Sequence, residues 1–175
     1  MLVQPRVIPH AWPSSPAKPT MRAQYGFTLI ETLVAIAILA IVVSIAAPSF
    51  TRMLQSNRAA VLSNELLGTL QLARSEALKR RTNVVLCRST AGSSVCVDGA
   101  DWSSGWRLMQ GTIVLRTWEP ISGGTLTGPS TGMTYQSNGL SGAQATFTIT
   151  TASTCSRTIQ VSATGNATVN AGGCP

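Results

Sequence analysis

Hydrophobic and polar positions obey two different rules along this chain, and the change comes near Arg81. From Phe27 to Ala47 the sequence reads FTLIETLVAIAILAIVVSIAA, apolar on every face, with Glu31 as its single charge. As a helix rising about 1.5 Å per residue, that run is roughly 30 Å long, enough to cross the hydrocarbon core of a bilayer. Beyond Pro48 the apolar positions thin to Leu54, Val61, Leu62, Leu66, Leu70, Ala73 and Ala77, at helical spacing. Arg52, Arg58, Glu65, Arg74 and Lys79 are left for the other faces. The pattern predicts one helix from Phe27 to about Arg81. Its first half, 27–47, is transmembrane; its second, 48–81, is amphipathic and lays one face against a head domain. Pro48 removes a backbone donor and crowds the preceding turn, so a kink is expected there. Lys79, Arg80 and Arg81 suit a helix C-terminus, where exposed carbonyls favour cations.

After Arg81 the period becomes two. Strand signals cover Asn83–Cys87, Trp102–Met109, Ile113–Trp118, Met133–Gln136, Ala145–Thr150, Thr158–Ala163 and Ala167–Val169. Residues 88–101 and 119–132 are polar or rich in Gly, Ser, Thr and Pro, and are expected as loops. Asn138-Gly139 and Gly165-Asn166 are turn dipeptides. No repeat of 20–50 residues is evident. The predicted fold is α+β: a long N-terminal helix packed on an antiparallel β-rich head, 82–175.

Composition narrows the chemistry. Residues 1–20 carry five prolines without periodicity and are expected to be disordered. The formal charge is +7. Arg6, Lys18 and Arg22 all precede the apolar run, so the remainder is less basic, and a solvated basic face explains it. The only histidine, His10, also precedes the run. The rest of the chain therefore offers no His-based metal site and no Ser-His or Cys-His catalytic pair. Asp98 and Asp101 share a loop, where paired acids act as turn formers or N-caps more often than as an acid/base pair. Four cysteines remain, Cys87, Cys96, Cys155 and Cys174, with no C-x-x-C. In an exported head they imply disulfides. Three pairings are possible; the most local joins Cys87 to Cys96 and Cys155 to Cys174.

Gly26-Phe27-Thr28-Leu29-Ile30-Glu31 in front of an apolar helix resembles the processing site of type IV pilins and type II secretion pseudopilins. The resemblance implies cleavage by a prepilin peptidase between Gly26 and Phe27, with N-methylation of the new terminal Phe27. Residues 1–26 would be the leader, or only 21–26 if Met21 is the true start and 1–20 an extension of the gene model. Glu31 would be the family's intramembrane glutamate. Its carboxylate can meet the terminal ammonium of a neighbouring subunit and set the axial register of packing. A plain membrane anchor is one alternative. Another is a secretory signal peptide, with Arg22 as basic flank and Ser44-Ile45-Ala46 as the small-residue cleavage site. A Glu inside the apolar core fits a signal peptide badly, and the helical pattern continues past Ala47.

The later segments narrow the family. Leu72-Ala73-Arg74-Ser75-Glu76-Ala77, Trp102-x-x-Gly105-Trp106 and the strand pair around Val161–Gly165 are similar to the GspH/FimT branch of minor pilins and pseudopilins. Ordinary core packing accounts for Trp102 and Trp106. The resemblance implies a structural minor pilin of a type IV pilus, held in the inner membrane with a periplasmic head. Its partners would be prepilin peptidase and other pilin subunits, with no cofactor, no small-molecule substrate and no enzymatic activity. The alternative is the H-type pseudopilin of type II secretion. DNA uptake is disfavoured. Some FimT-type pilins bind DNA through Gly-Arg-x-Arg in the C-terminal strand pair; here the matching stretch is Gly165-Asn166-Ala167-Thr168, without either arginine. Arg116 and Arg157 are candidate substitutes, but no motif places them together.

Overall fold

The computed structural model describes residues 26–90, 92–151 and 155–172. One helix, α1 (Leu29–Arg80), precedes eight strands. They are β1 (Val84–Arg88), β2 (Trp106–Gln110), β3 (Ile113–Trp118), β4 (Thr125–Thr127), β5 (Met133–Tyr135), β6 (Ala145–Thr151), β7 (Cys155–Val161) and β8 (Ala167–Ala171). The chain divides after Ile41 into two compact units, each described by itself.

In the first unit, α1 is apolar and its side chains are exposed throughout, with Ile30, Val34, Ile38 and Leu39 all more than half open. By length and composition the apolar part of α1 is able to cross a membrane.

The second unit holds the rest of α1, including Pro48, and two antiparallel sheets. Their orders are β3-β2-β1-β5 and β4-β6-β7-β8. The core lies where α1 meets the inner faces of both. Leu66, Leu70, Ala73 and Ala77 pack with Val84, Leu86, Trp106 and Leu108 of the first sheet and with Phe147, Ile149 and Ile159 of the second. The buried stripe of α1 is Ala59, Ser63, Leu66, Leu70, Ala73 and Ala77, at alternating spacings of four and three. This corrects the expectation from periodicity. Leu54 and Val61, expected on that face, are 46% and 65% exposed. Ala59 and Ser63, both fully buried, take the inner positions instead. Ser63 can be buried because its hydroxyl donates to the Ala59 carbonyl at 2.6 Å; Thr69 does the same to Glu65 at 2.9 Å. The helix stops where Arg81 turns left-handed, with φ 54°, a helix-terminating conformation more often taken by Gly or Asn.

Two further departures from the sequence expectation have local causes. Trp102–Gly105 is not strand. Gly105 has φ 103°, its N–H returns to the Trp102 carbonyl at 3.0 Å, and β2 begins only at Trp106. A Cβ at Gly105 would stand 2.5 Å from the Trp118 carbonyl oxygen, so this turn requires glycine. Conversely, β4 forms inside the expected loop 119–132. Leu126 pairs opposite Ile149 and is buried, an arrangement that only contact with β6 creates. The remaining strands differ from expectation only at their ends. Trp102 is buried edge-to-face on Phe147 at 5.1 Å, and its indole N–H donates to Pro129. Trp106 stacks on Trp118 at 6.1 Å and its N–H points at Thr69 Oγ1. Both tryptophans are core residues, as ordinary packing predicts.

Leu70 is fully buried where helix and sheets converge. Leu70→Ala is expected to destabilise the chain by about 2–5 kcal/mol. Denaturant unfolding of the full chain in detergent, followed by tryptophan fluorescence, measures it.

Candidate processing and assembly site

Gly26, Phe27 and Thr28 lie outside the helix in exposed backbone. No atom comes within 4 Å of a Cβ built at Gly26, and Phe27 is 83% exposed. The Gly26–Phe27 peptide bond is therefore sterically open to an enzyme. Thr28 begins the helix chemically. Its Oγ1 accepts the Glu31 N–H at 3.3 Å, and its carbonyl accepts the Thr32 N–H at 3.2 Å. Thr28-Leu29-Ile30-Glu31 thus follows the S/T-x-x-E capping-box pattern. The acidic side chain at Glu31 sits in the first turn, where the helix end favours negative charge. The cap is legible in the Thr28-x-x-Glu31 spacing and gives Glu31 a local place in the helix besides the assembly role that the resemblance implies.

The other candidates are spread over the head. Cys87 and Cys96 are joined by a disulfide that ties the exposed 92–96 segment to β1. Cys155 is disulfide-bonded, and Cys174 lies outside the described residues. Across β1–β2, Cys87 faces Arg107, which is buried and donates to Ser89 Oγ at 3.1 Å. Nothing in the sequence marked Arg107 as a buried cation. Asp101 accepts the Ser103 N–H at 2.9 Å; hydrogen bonding by the Ser103 side chain and then its backbone, with the nearby Arg88, holds its carboxyl below the usual range. It is a turn former. Glu76 is likewise held low by its hydrogen bond to Arg80. Among the described residues, no group of three His, Cys, Asp or Glu side chains could hold a metal ion.

At the β7–β8 turn, Asn166 and Thr168 are exposed and uncharged. Arg116 lies on β3, 4.9 Å over the Trp118 ring, whereas Arg157 lies on β7 of the other sheet. A cation expected on an outer face of the helix reaches the turn instead. Arg74 of α1 donates to the Gly165 carbonyl at 3.3 Å, and the Tyr135 hydroxyl approaches the same oxygen at 3.5 Å. Gly165 has φ 80°, and a side chain there would collide with the Gly139 carbonyl.

The family model of the type II transport protein GspH matches residues 62–165, and the prokaryotic N-terminal methylation motif matches residues 21–47. The chain belongs to the GspH family. It is a pilin-like subunit of the kind found in type IV pili and type II secretion systems, and family and fold are those of structural pilins. The motif and the apolar helix fit anchoring in the inner membrane with a periplasmic head. Two crystal structures of the Pseudomonas aeruginosa PAO1 type IV minor pilin FimU resemble this GspH-family chain. The form in space group P21 has a TM-score of 0.53 at 22% identity, covering 68% of this chain and 96% of that one. The form in P65 has a TM-score of 0.49 at 22% identity, covering 64% and 96%. The P21 likeness is one of fold. No curated protein matches the chain.

Burial pushes the Tyr135 phenol up to about 12, against the pull of the Arg74 cation. An unfolded tyrosine titrates near 10. Below pH 10 both states keep the proton and Tyr135 contributes fully. Between about 10 and 12 the unfolded chain loses its proton first, so this contribution falls as pH rises. A chain starting at Phe27 contains Tyr135 as its only tyrosine. Its phenolate absorbance is expected to rise near pH 12, and Tyr135→Phe to flatten the stability loss over that window.

Proposed function

We propose that this chain is a minor pilin of a type IV pilus, inserted in the inner membrane and incorporated into the filament or priming it. It acts as a structural subunit without enzymatic activity, cofactor or small-molecule substrate. The supporting observation is the arrangement at the start of α1. An exposed Gly26–Phe27 bond directly precedes a Thr28-capped apolar helix with one carboxylate, Glu31, in its first turn. Prepilin peptidase removes residues up to Gly26 and Phe27 is N-methylated. The segment 27–47 then spans the membrane, and 82–175 forms the periplasmic head. In lipid, the lone Glu31 carboxylate needs a partner, because an unpaired charge there is costly. The ammonium of a neighbouring subunit's Phe27 supplies it and fixes the axial register. Pro48 bends the helix as it leaves the membrane.

The match to a type II transport protein model favours one second reading, the H-type pseudopilin of type II secretion. The same maturation and packing chemistry serves either machine. DNA uptake is not proposed: Asn166 and Thr168 offer no cation to phosphate, and Arg116 and Arg157 belong to different sheets.

Intact-mass spectrometry of protein from native membranes is expected to find a chain beginning at methyl-Phe27. A terminus near Ala47 would establish a signal peptide instead. Glu31→Ala makes the segment more apolar, so insertion is expected to be unchanged. Filament incorporation is expected to drop at least about tenfold, the effect of losing ~1.4 kcal/mol or more. Parent-like incorporation of that variant, read by immunoblot of sheared filaments, would remove the charge-pairing mechanism.

A further inference from the structure

The outward face of the second sheet carries no charge on three of its strands. Side chains alternate across a strand. With Phe147, Ile149, Ile159 and Val161 turned into the core, the even-numbered positions of β6, β7 and β8 point away from it. Every one of those positions is Thr, Ser, Gln or Asn. The register sets them in rows. Thr146 lies opposite Gln160, and Gln160 opposite Thr168. Gln144, Ser162 and Asn166 continue the same three chain segments towards the β7–β8 turn, where the Ser162 N–H donates to the Asn166 carbonyl at 2.9 Å.

These six residues line a cavity of about 250 Å³. The fold does not consume its polar groups. Among the described residues, the amides of Gln144, Gln160 and Asn166 and the hydroxyl of Thr146 take no hydrogen-bond partner, and Thr168 Oγ1 only approaches the Gln160 carbonyl, at 3.5 Å. Amides and hydroxyls both donate and accept hydrogen bonds. On the strand grid such groups stand about 5 Å apart across strands and about 6.7 Å apart along them. The track does not end at the cavity. Thr148, Thr158 and Asn170 form the next row in register, again uncharged and polar.

We infer that this face binds a neutral polysaccharide, one hexose seated in the cavity and the chain carried onward over the Thr148, Thr158 and Asn170 row. What the lining offers and what it lacks select that class. Nucleic acids and acidic polymers need cations. The cavity has none, and Arg74 is turned to the Gly165 carbonyl instead. Protein partners are anchored by Trp, Tyr or Arg, and apolar small molecules by hydrophobic and aromatic walls. Neither kind of anchor stands here. A hexose presents several hydroxyls, each both donor and acceptor, which clustered amides and hydroxyls complement without any charge. An open track continuing past the cavity suits a polymer better than a single sugar. The inference concerns the head alone and holds whichever machine the chain serves.

The test uses the full chain in a zwitterionic detergent that has no sugar headgroup. Saturation-transfer NMR is run with maltohexaose, cellohexaose and chitohexaose at millimolar concentration, and with a duplex DNA oligonucleotide as the charged control. Transfer to at least one of the three sugars is expected, and none to DNA. Gln160→Ala combined with Asn166→Ala is expected to cut the sugar signal about tenfold, the effect of losing two neutral hydrogen-bonding groups. Both residues are exposed, so the Tm should stay at the parent value. Thr146→Val, which keeps the shape of the strand residue and removes its hydroxyl, should lower the signal without the double change. Thr125→Ala, on β4 of the same sheet and outside the cavity, should leave it unchanged. No transfer to any of the three sugars, stronger transfer to DNA, or a sugar signal that survives both the double change and Thr146→Val would overturn the proposal.

Discussion

The head depends on the buried stripe of α1 that packs against its two sheets. Leu66 and Leu70, with the small Ala73 and Ala77 beside them, share one core with residues from the inner faces of both sheets. Larger residues at the small positions would hold the helix off and open voids around Trp102, Trp106 and Phe147, which a close-packed interior tolerates poorly. Polar atoms follow the same constraint. The Ser63 and Thr69 hydroxyls turn back to helix carbonyls, and Thr151 Oγ1 donates to the Gln55 carbonyl at 2.9 Å, tying the end of β6 to the helix.

Turns at the edge of this contact are fixed by backbone geometry and by a few directed polar groups. The W-x-x-G-W segment is a reversal closed by Gly105, which sends one tryptophan into each part of the core. At the β7–β8 turn, the Gly165 carbonyl gathers Arg74 and Tyr135, so the Arg74 cation is spent on a backbone oxygen. The 165–168 turn is a structural junction whose exposed Asn166 and Thr168 are uncharged.

At its N-terminus α1 meets a different demand. Thr28 closes the first turn by hydrogen bonding, while Glu31 places a charge on an otherwise apolar surface. A helix exposed on every side in a single chain has no folded contact to justify its apolarity. Its surroundings, lipid or other helices, must supply that.

Sequence alone determined what depends on local chemistry and period. The Gly26–Phe27 junction, the length of the apolar run, the switch from helical to alternating pattern near Arg81 and the uncharged 165–168 turn are all written in consecutive residues. The local Cys87–Cys96 disulfide was also accessible, because few residues separate its ends. Tertiary structure decided what depends on distant segments meeting. It put Ala59 and Ser63 rather than Leu54 and Val61 on the inner face, because which side of the helix meets the head depends on segments distant in sequence. It made β4 from a stretch that looked like loop, because pairing with β6 supplies hydrogen bonds and burial that three residues lack alone. It also buried Arg107 behind the disulfide and brought Arg74 to Gly165, ninety-one positions away. No periodicity records such contacts, because they exist only once the helix and both sheets have packed.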